Sequence, residues 1–189
     1  MVTMTSQTPT IALVPGSRRE DSVNVALAHH AASVLSSRGA RPFVVHLDQY
    51  DMPMYDGDCE EAVGVPDEAV RLHDVLVAAD AVVFVSPEYN SAPTPLLKNV
   101  IDWVTRVSKR PLEGKPVGLM SATPGPGGGV TGLEVLDVIM KSLRVDRTVA
   151  SVPVGNARSR IDQKDPVLQE QLEAFADALV SDITGIVAP

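Results

Sequence analysis

Short apolar runs alternate along the chain with longer segments in which apolar residues recur every three or four positions. The first pattern is typical of strands buried in a sheet, and the second of helices with one face against a core. The predicted strands are Ile11–Val14, Phe43–Leu47, Ala81–Val85, Val117–Ser121 and Val149–Val154. The predicted helices cover about Ser22–Ser37, Asp67–Ala79, Pro95–Val107, Leu133–Leu143 and Asp165–Val180. The acidic segment Asp48–Pro66 is predicted as a loop.

The alternation predicts an α/β fold, because a strand–helix–strand unit forms a right-handed crossover between parallel strands. Two prolines bear on the strand order, since Pro42 stands at the start of strand two and Pro153 lies within strand five. Proline cannot donate to a neighbouring strand, so it favours sheet edges, although strand ends in another order would also accept it. We predict a flavodoxin-like three-layer sandwich with a five-stranded parallel sheet in the order 2-1-3-4-5.

Length, charge and cysteine content narrow the function classes. The 189 residues suit one domain, which we expect over residues 10–185 after a disordered polar tail at residues 1–9. The formal net charge is −8 without a basic cluster, so neither nucleic acid nor a membrane is expected as a partner. Cys59 is the only cysteine, which excludes an internal disulfide and, with no signal-peptide pattern, favours a cytoplasmic location.

Ligands of such sheets bind beyond the carboxyl ends of the strands, near the point where the strand order reverses. The first loop there, Gly16–Asn24, joins a strand to a helix N-terminus, where unpaired N–H groups and the helix dipole attract anions. Ser17, Ser22 and Asn24 add neutral donors, and the loop also carries two arginines. An ordinary capped helix with solvated arginines explains the same residues, and for this loop taken alone it is slightly favoured because Ser and Asp caps are common.

The loop after strand three, Ser86–Asn90, follows the most apolar strand. Its Tyr89 and Asn90 are side chains that can cover and hydrogen-bond a flat heterocycle at the mouth of the sheet. Proline, asparagine and serine are also common in plain turns, which is the competing interpretation.

The loop after strand four, Ser121–Gly129, is rich in glycine, so a ligand can approach its backbone closely. A glycine pattern typical of dinucleotide sites occurs at Gly127, Gly129 and Gly132, but it follows the fourth strand rather than the first. We therefore predict a flexible loop, or a lid over a ligand, instead of a dinucleotide fingerprint.

Other chemistries find no support in the sequence. His29 and His30 are adjacent on one helix and diverge, so they cannot share a metal, and the acidic loop lacks the spacing of a calcium site. Cys59 has no basic neighbour that would activate its thiol. We predict no metal site and assign no side chain as a catalytic acid or base.

Three motifs in the predicted loops and helices closely resemble the NADPH-dependent FMN reductase family, which includes bacterial quinone, chromate and azo-dye reductases. The pattern Gly-Ser-x-Arg-x-x-Ser-x-Asn matches the stretch Gly16–Asn24. Pro-Glu-Tyr-Asn matches Pro87–Asn90 and is followed by Leu-Lys-Asn-x-x-Asp-Trp at Leu97–Trp103. Gly-Lys-Pro matches Gly114–Pro116. The resemblance runs from about Thr10 to Leu179.

The resemblance implies a flavodoxin-like fold with non-covalent FMN. It assigns the FMN phosphate to a group in the first loop, namely Ser17, Arg19, Ser22, Val23 and Asn24. It places the second loop against the isoalloxazine ring through Pro87, Glu88, Tyr89 and Asn90. It brings Ser121, Thr123 and Gly125 of the third loop to the pyrimidine side of that ring.

The activity implied is hydride transfer from NADPH or NADH through the flavin to a quinone or similar small acceptor, such as a flavin, azo dye or chromate. The family resemblance also implies a homodimer or homotetramer, and Trp103 could serve that interface or the core. A departure from the family lies at Asn90-Ser91-Ala92, where Asn-Gly-Ser is common. The competing hypotheses are an electron-carrier flavoprotein without its own NAD(P)H turnover, and a flavin-free regulatory protein of the same fold.

Overall fold

The computed structural model describes residues 8–145 and 148–185, so residues 1–7 of the predicted tail lie outside the described residues. A parallel five-stranded sheet in the order β2-β1-β3-β6-β7 forms its centre. The strands are β1 Thr10–Pro15, β2 Arg41–Val44, β3 Ala81–Val85, β6 Val117–Ala122 and β7 Thr148–Val154. Two short antiparallel strands, β4 Glu88–Tyr89 and β5 Ala92–Pro93, form a hairpin after β3. Because the hairpin supplies the fourth and fifth strands in chain order, the sheet order is the predicted 2-1-3-4-5.

Helices cover both faces of the sheet, which confirms the predicted three layers. They are α1 Val23–Ser37, α2 Gly57–Val63, α3 Asp67–Ala78, α4 Pro95–Val107, α5 Val130–Ser142, α6 Ala157–Asp162 and α7 Pro166–Thr184. Helices α1, α6 and α7 pack against one face, and α3, α4 and α5 pack against the other. Strand β3 lies at the centre of the sheet, and its residues are buried throughout. Within the described ranges, no helix combines the length and apolar character needed to cross a membrane.

The predicted bounds of β3 and α4 agree with the structure, but those of strand two were wrong. The strand runs over Arg41–Val44, paired in parallel with Thr10–Leu13, and ends before Leu47. Leu47 instead begins a single 3-10 turn and is buried with the α3–α5 side of the core. Leu47 is therefore apolar because it packs in the core on the α3–α5 side of the sheet, and not because it pairs with a neighbouring strand.

Helices α2 and α6 were not predicted, because both are too short to show a helical repeat. Helix α2 lies in the acidic segment expected to be a loop and has no buried residue. The Asp56 carboxylate caps its first turn, and Gly64 ends it with a φ of 81°. Cys59 consequently lies in a helix and not in a loop.

Candidate functional site

A cleft of about 400 Å³ opens at the carboxyl edge of the sheet, where the loops after β1, β3 and β6 meet. Its walls are Ser17, Arg19, Asp21, Ser22, Val23, Asn24, Pro87, Glu88, Tyr89, Ala122, Thr123, Pro124 and Arg158. The three predicted loops therefore contribute to one cavity. Among the predicted site residues, Asn90, Ser121 and Gly125 are not part of its walls.

A larger groove of about 580 Å³ lies between α5 and the edge strand β7. Two of its charged groups are already paired with each other: the Asp137 carboxylate binds Lys141 Nζ at 2.5 Å, and it also accepts from Thr148 Oγ1 at 2.7 Å. Those two donors hold the pKa of Asp137 below its usual value, although burial alone would raise it. The smaller cleft is the better ligand site, because it contains polar groups without partners.

The N-terminus of α1 forms the floor of the cleft. Ser22 is the N-cap, and its Oγ accepts the N–H of Val25. The backbone N–H groups of Val23 and Asn24 have no hydrogen-bond partner among the described residues. Unpaired N–H groups at the positive end of a helix dipole form a binding site for an anion.

The two adjacent arginines of the first loop have different roles. Arg18 is bound to the segment after β2, since Nε donates to Leu47 O at 3.1 Å and Nη2 donates to Tyr50 O at 3.0 Å. Its Nη1 also pairs with Asp51 at 3.2 Å. The exposed guanidinium of Arg19 has no partner within the described part of the chain and lines the cleft. Arg19 is thus the arginine of this loop that can meet an anion.

Asn24 has a different role from the one predicted for its side chain. Its Nδ2 donates to Ala122 O at 2.8 Å, and its Oδ1 accepts the N–H of Ala122 at 2.9 Å. The side chain is buried, and both ends of its amide are therefore used within the protein. Asn24 joins α1 to the end of β6 across β3, which leaves its backbone N–H as its donor toward a ligand.

The second loop contains β4 and leads into the two-residue turn, Asn90 and Ser91, of the β4–β5 hairpin. Asn90 and Ser91 both adopt left-handed backbone angles, with φ of 50° and 62°, as a tight hairpin turn requires. The Glu88 carboxylate accepts the N–H of Gly132 at 2.7 Å and so fixes the hairpin to the first turn of α5. Tyr89 remains half exposed at the cleft, in a position to cover a ligand.

The glycine-rich third loop is tied to the backbone that follows β7. The N–H of Thr123 donates to Val154 O at 3.0 Å, and the N–H of Asn156 donates to Gly125 O at 2.9 Å. The contact with Gly155 is close, because a Cβ there would lie 2.2 Å from Pro126 O. The loop therefore has fixed ends beside the cleft, in contrast to the free lid that the sequence suggested.

Ser121 lies just below the cleft and is almost fully buried. Its Oγ is a buried side-chain polar atom that has no hydrogen-bond partner among residues 8–145 and 148–185. Gly129 packs so closely on this hydroxyl that a Cβ at that position would lie 2.0 Å from Oγ, and its φ of 78° also favours glycine. A buried hydroxyl without a partner costs about 1–3 kcal/mol, so Ser121 marks a position just below the cleft where a further hydrogen-bond partner would stabilise the protein.

Arg158, which sequence reasoning missed, lines the cleft from α6. Its Nη2 donates to Asp21 O at 2.8 Å. The prediction covered the ends of β1, β3 and β6 only, and α6 follows the edge strand β7. The adjacency of β6 and β7 in the predicted order was the signal that could have drawn attention to this segment.

The motif residues of α4 stabilise the fold around the site and do not line it. Asn99 accepts the N–H of Tyr55 at 2.7 Å through Oδ1 and donates to Pro53 O at 2.9 Å. Trp103 is fully buried and also donates to Pro53 O, at 2.8 Å. Trp103 is therefore a core residue, and the alternative of a subunit contact does not fit its burial.

The Gly-Lys-Pro motif lies at the opposite edge of the sheet. Lys115 Nζ donates to Val77 O at 2.8 Å and to Ala79 O at 2.6 Å, and so caps the C-terminus of α3. Burial lowers the pKa of Lys115, while Asp80 nearby acts in the opposite direction. The described residues contain no cluster of His, Cys, Asp or Glu suited to a metal ion.

A five-stranded parallel sheet in the order 2-1-3-4-5, with a cleft at its carboxyl edge, defines the class of this protein: a flavodoxin-like α/β protein. The model of the NADPH-dependent FMN reductase family matches residues 9–157. The chain belongs to that family.

Relatives and solved structures agree with this assignment. A quinone reductase of Pseudomonas putida is 31% identical over 93% of this chain and 95% of its own length. The quinone reductase of Escherichia coli strain K12 is 42% identical, but the match spans only 42% of each chain. The solved structure of FerB, a flavoenzyme NAD(P)H:(acceptor) oxidoreductase from Paracoccus denitrificans, has a TM-score of 0.76 at 25% identity and covers 94% of this chain and 98% of its own.

Proposed function

We propose that the protein is an FMN-dependent NAD(P)H oxidoreductase that passes hydride by way of bound flavin to quinones or similar small acceptors, such as a flavin, azo dye or chromate. The observation that carries the proposal is the unpaired Arg19 guanidinium in the same cleft as the unpaired N–H groups of Val23 and Asn24. Such an arrangement suits the phosphate of a flavin mononucleotide.

The residues at the cleft fit FMN along its length. We assign the phosphate to the α1 end of the cleft, where the donors are Ser17, Arg19, the Ser22 N-cap and the backbone of Val23 and Asn24. The isoalloxazine ring would lie against the hairpin, whose residues are Pro87, Glu88, Tyr89 and Asn90. The pyrimidine side would meet the third loop, through Thr123, Gly125 and the orphaned hydroxyl of Ser121.

Bound FMN would supply the two-electron chemistry by which NADPH or NADH is oxidised and an acceptor is reduced. The protein binds and orients the cofactor and needs no acidic or basic side chain for the transfer itself. The glycine-rich backbone and the helix N-terminus offer positive dipoles that favour negative charge on the ring and the phosphate. Tyr89 and the hairpin shield one side of the cleft from water.

We further propose that residues 10–185 form one FMN-binding domain and that the protein is cytoplasmic, which its single cysteine favours. A homodimer or homotetramer is part of this proposal. Val130, Val135 and Val138 are exposed on α5, and the apolar surface they offer supports a contact between copies. Light scattering of the purified protein would measure the number of subunits, and a monomer at all concentrations would contradict the oligomer.

The decisive experiment is a visible spectrum of the purified protein, followed by anaerobic addition of NADPH in the same cuvette. We expect a flavin spectrum that NADPH abolishes and that a quinone restores. A flavin spectrum that NADPH leaves unchanged would favour an electron carrier without its own turnover. A colourless protein that does not take up added FMN would favour a flavin-free member of the fold.

A further inference from the structure

Arg158 lines the same cleft as Arg19 but comes from a different part of the chain, helix α6. Its Nη2 donates to the backbone oxygen of Asp21 at 2.8 Å. Asp21 immediately precedes Ser22, the N-cap of α1. The guanidinium is therefore held one residue away from the helix end where the unpaired N–H groups lie.

The backbone that carries Arg158 is fixed by the loop on the other wall of the cleft. The N–H of Ala157 donates to Thr123 O at 3.0 Å, and the N–H of Asn156 donates to Gly125 O at 2.9 Å. Ala157 is itself fully buried. Because the preceding two residues are anchored, the backbone of Arg158 is fixed beside the cleft, and the bond to Asp21 O is what holds its guanidinium there.

The charges of the cleft leave a role for a second cation. Arg19 and Arg158 are the basic residues of the cleft wall, and Asp21 and Glu88 are the acidic ones. Glu88 is engaged by the N–H of Gly132. A dianionic phosphate approaching a chain of net charge −8 needs positive charge close by, and one hydrogen bond to Asp21 uses only one of the five N–H donors of Arg158.

We propose that Arg158 is a second phosphate-binding arginine, which binds a phosphate monoester together with Arg19. The inference rests on the proposed function and adds to it a residue that the motifs do not include. Two phosphates could occupy this place, the phosphate of FMN and the 2′-phosphate of NADPH. The bond to Asp21, beside the N-cap of α1, favours the phosphate of FMN.

The test compares FMN with riboflavin, which lacks only the phosphate. Protein stripped of flavin is titrated with each ligand, and the dissociation constant is measured by quenching of flavin fluorescence. The variants are Arg158→Ala and Arg158→Gln, because glutamine retains a donor for Asp21 O without the charge. Lys109→Ala is the matched control, since Lys109 is an exposed cation beyond the C-terminus of α4, at the other end of that helix from the cleft.

We expect both Arg158 variants to weaken FMN binding by roughly 10- to 100-fold and to leave riboflavin binding unchanged, as loss of a charged hydrogen bond to phosphate predicts. Equal weakening of FMN and riboflavin would overturn the inference and make Arg158 a positioning residue for the first loop. Unchanged FMN binding with a higher KM for NADPH, but not for NADH, would instead assign Arg158 to the 2′-phosphate.

Two further outcomes separate this inference from the proposed function. Wild-type protein that binds FMN no better than riboflavin would contradict the phosphate site itself, and the inference with it. Wild-type protein that prefers FMN, with the full preference retained in Arg158→Ala and Arg158→Gln, would overturn the role of Arg158 alone. Thermal melts of each flavin-free variant verify that the fold is intact before the titrations are compared.

Discussion

Both edges of the central sheet carry polar side chains, but the two edges use them differently. At the amino edge, the Asp80 carboxylate accepts the N–H and Oγ1 of Thr10 at 2.7 and 2.8 Å, and Lys115 caps the end of α3. At the carboxyl edge, the Arg19 guanidinium and the Ser121 hydroxyl have no partner within the described residues. Pairing at the amino edge stabilises the fold, whereas the carboxyl edge combines paired groups such as Asn24 and Glu88 with unpaired ones that indicate a place for a ligand.

This difference also divides the family motifs by role. Gly-Lys-Pro and the Asn99–Trp103 part of the α4 motif satisfy backbone groups that the fold itself leaves unpaired. The motifs of the first and second loops surround the cleft. A family motif therefore does not by itself indicate a ligand contact, and the hydrogen-bond partners of each residue decide between the two roles.

The largest expected effect is on binding, at the unpaired edge. Arg19→Ala should weaken FMN binding by about 1.5–3 kcal/mol, because a charged hydrogen bond to phosphate is lost. The free energy of unfolding of the flavin-free protein should change by less than about 0.5 kcal/mol, since the side chain has no partner to lose. Fluorescence titration and urea unfolding measure the two quantities, with Lys109→Ala as the control for charge. If Arg19→Ala binds FMN with the affinity of the wild type, the assignment of Arg19 to the phosphate is refuted.

The next effect is on stability, at the paired edge. Lys115→Met retains the aliphatic stem but leaves Val77 O and Ala79 O without their donor, which should lower the free energy of unfolding by about 1–2 kcal/mol. FMN affinity should remain at the wild-type value. Lys109→Met is the matched control in urea unfolding. A loss of FMN affinity without a loss of stability would contradict the division between the two edges.

Ser121→Ala should have opposite effects on the free and the bound protein. Removal of an orphaned buried hydroxyl should raise the free energy of unfolding of the flavin-free protein by about 1 kcal/mol. If the hydroxyl binds the flavin, the same change should lower FMN affinity. Unfolding with and without FMN measures both effects. If the flavin-free variant is less stable than the wild type, the Ser121 hydroxyl instead stabilises the fold itself.

The smallest effect concerns pH at the amino edge. Hydrogen bonds from Thr10 hold the pKa of Asp80 below its usual value of 3.8. A carboxyl with a lowered pKa stabilises the fold above its unfolded-state pKa, and that contribution is lost as the pH falls through the folded-state pKa. Asp80→Asn should therefore destabilise the protein by less than about 1 kcal/mol near pH 7, given the exposure of the site, and by nothing once the wild-type carboxyl is protonated.

Unfolding of wild-type protein, Asp80→Asn and the exposed control Asp48→Asn at a series of pH values measures this dependence. A difference between wild type and Asp80→Asn that grows as the pH falls would have the wrong sign. A pH-independent difference would mean that the asparagine side chain perturbs packing and that the charge on Asp80 contributes nothing.

The sequence predicted the sheet order and the three loops because those features depend on the alternation of short apolar runs with helical repeats and on the positions of two prolines. The bounds of β3 and α4 were correct since both elements are buried or amphipathic over their whole length. Strand two was misplaced because apolar residues after Val44 pack below the sheet rather than within it. The pattern of apolar residues alone cannot distinguish a residue that pairs within a strand from one that packs against a face of the sheet.

Within the site, the sequence indicated residue types but not their partners. Arg18 and Arg19 are the same residue type, and only the fold shows that the segment after β2 binds Arg18. The amide of Asn24 was expected to face a ligand, whereas it binds the backbone of Ala122, 98 residues further along the chain. Arg158 was missed because a six-residue helix leaves no periodic signal.

The paired hydrogen bonds between Asn24 and Ala122 act as a spacer of fixed length between the first and third loops. The width of the opening is thus set during folding, before any cofactor arrives. A binding site that is formed before its ligand arrives loses little conformational entropy on binding, so more of the interaction energy appears as affinity. A shorter or longer side chain at this one position would therefore change the separation of the first and third loops, and with it the width of the whole cleft.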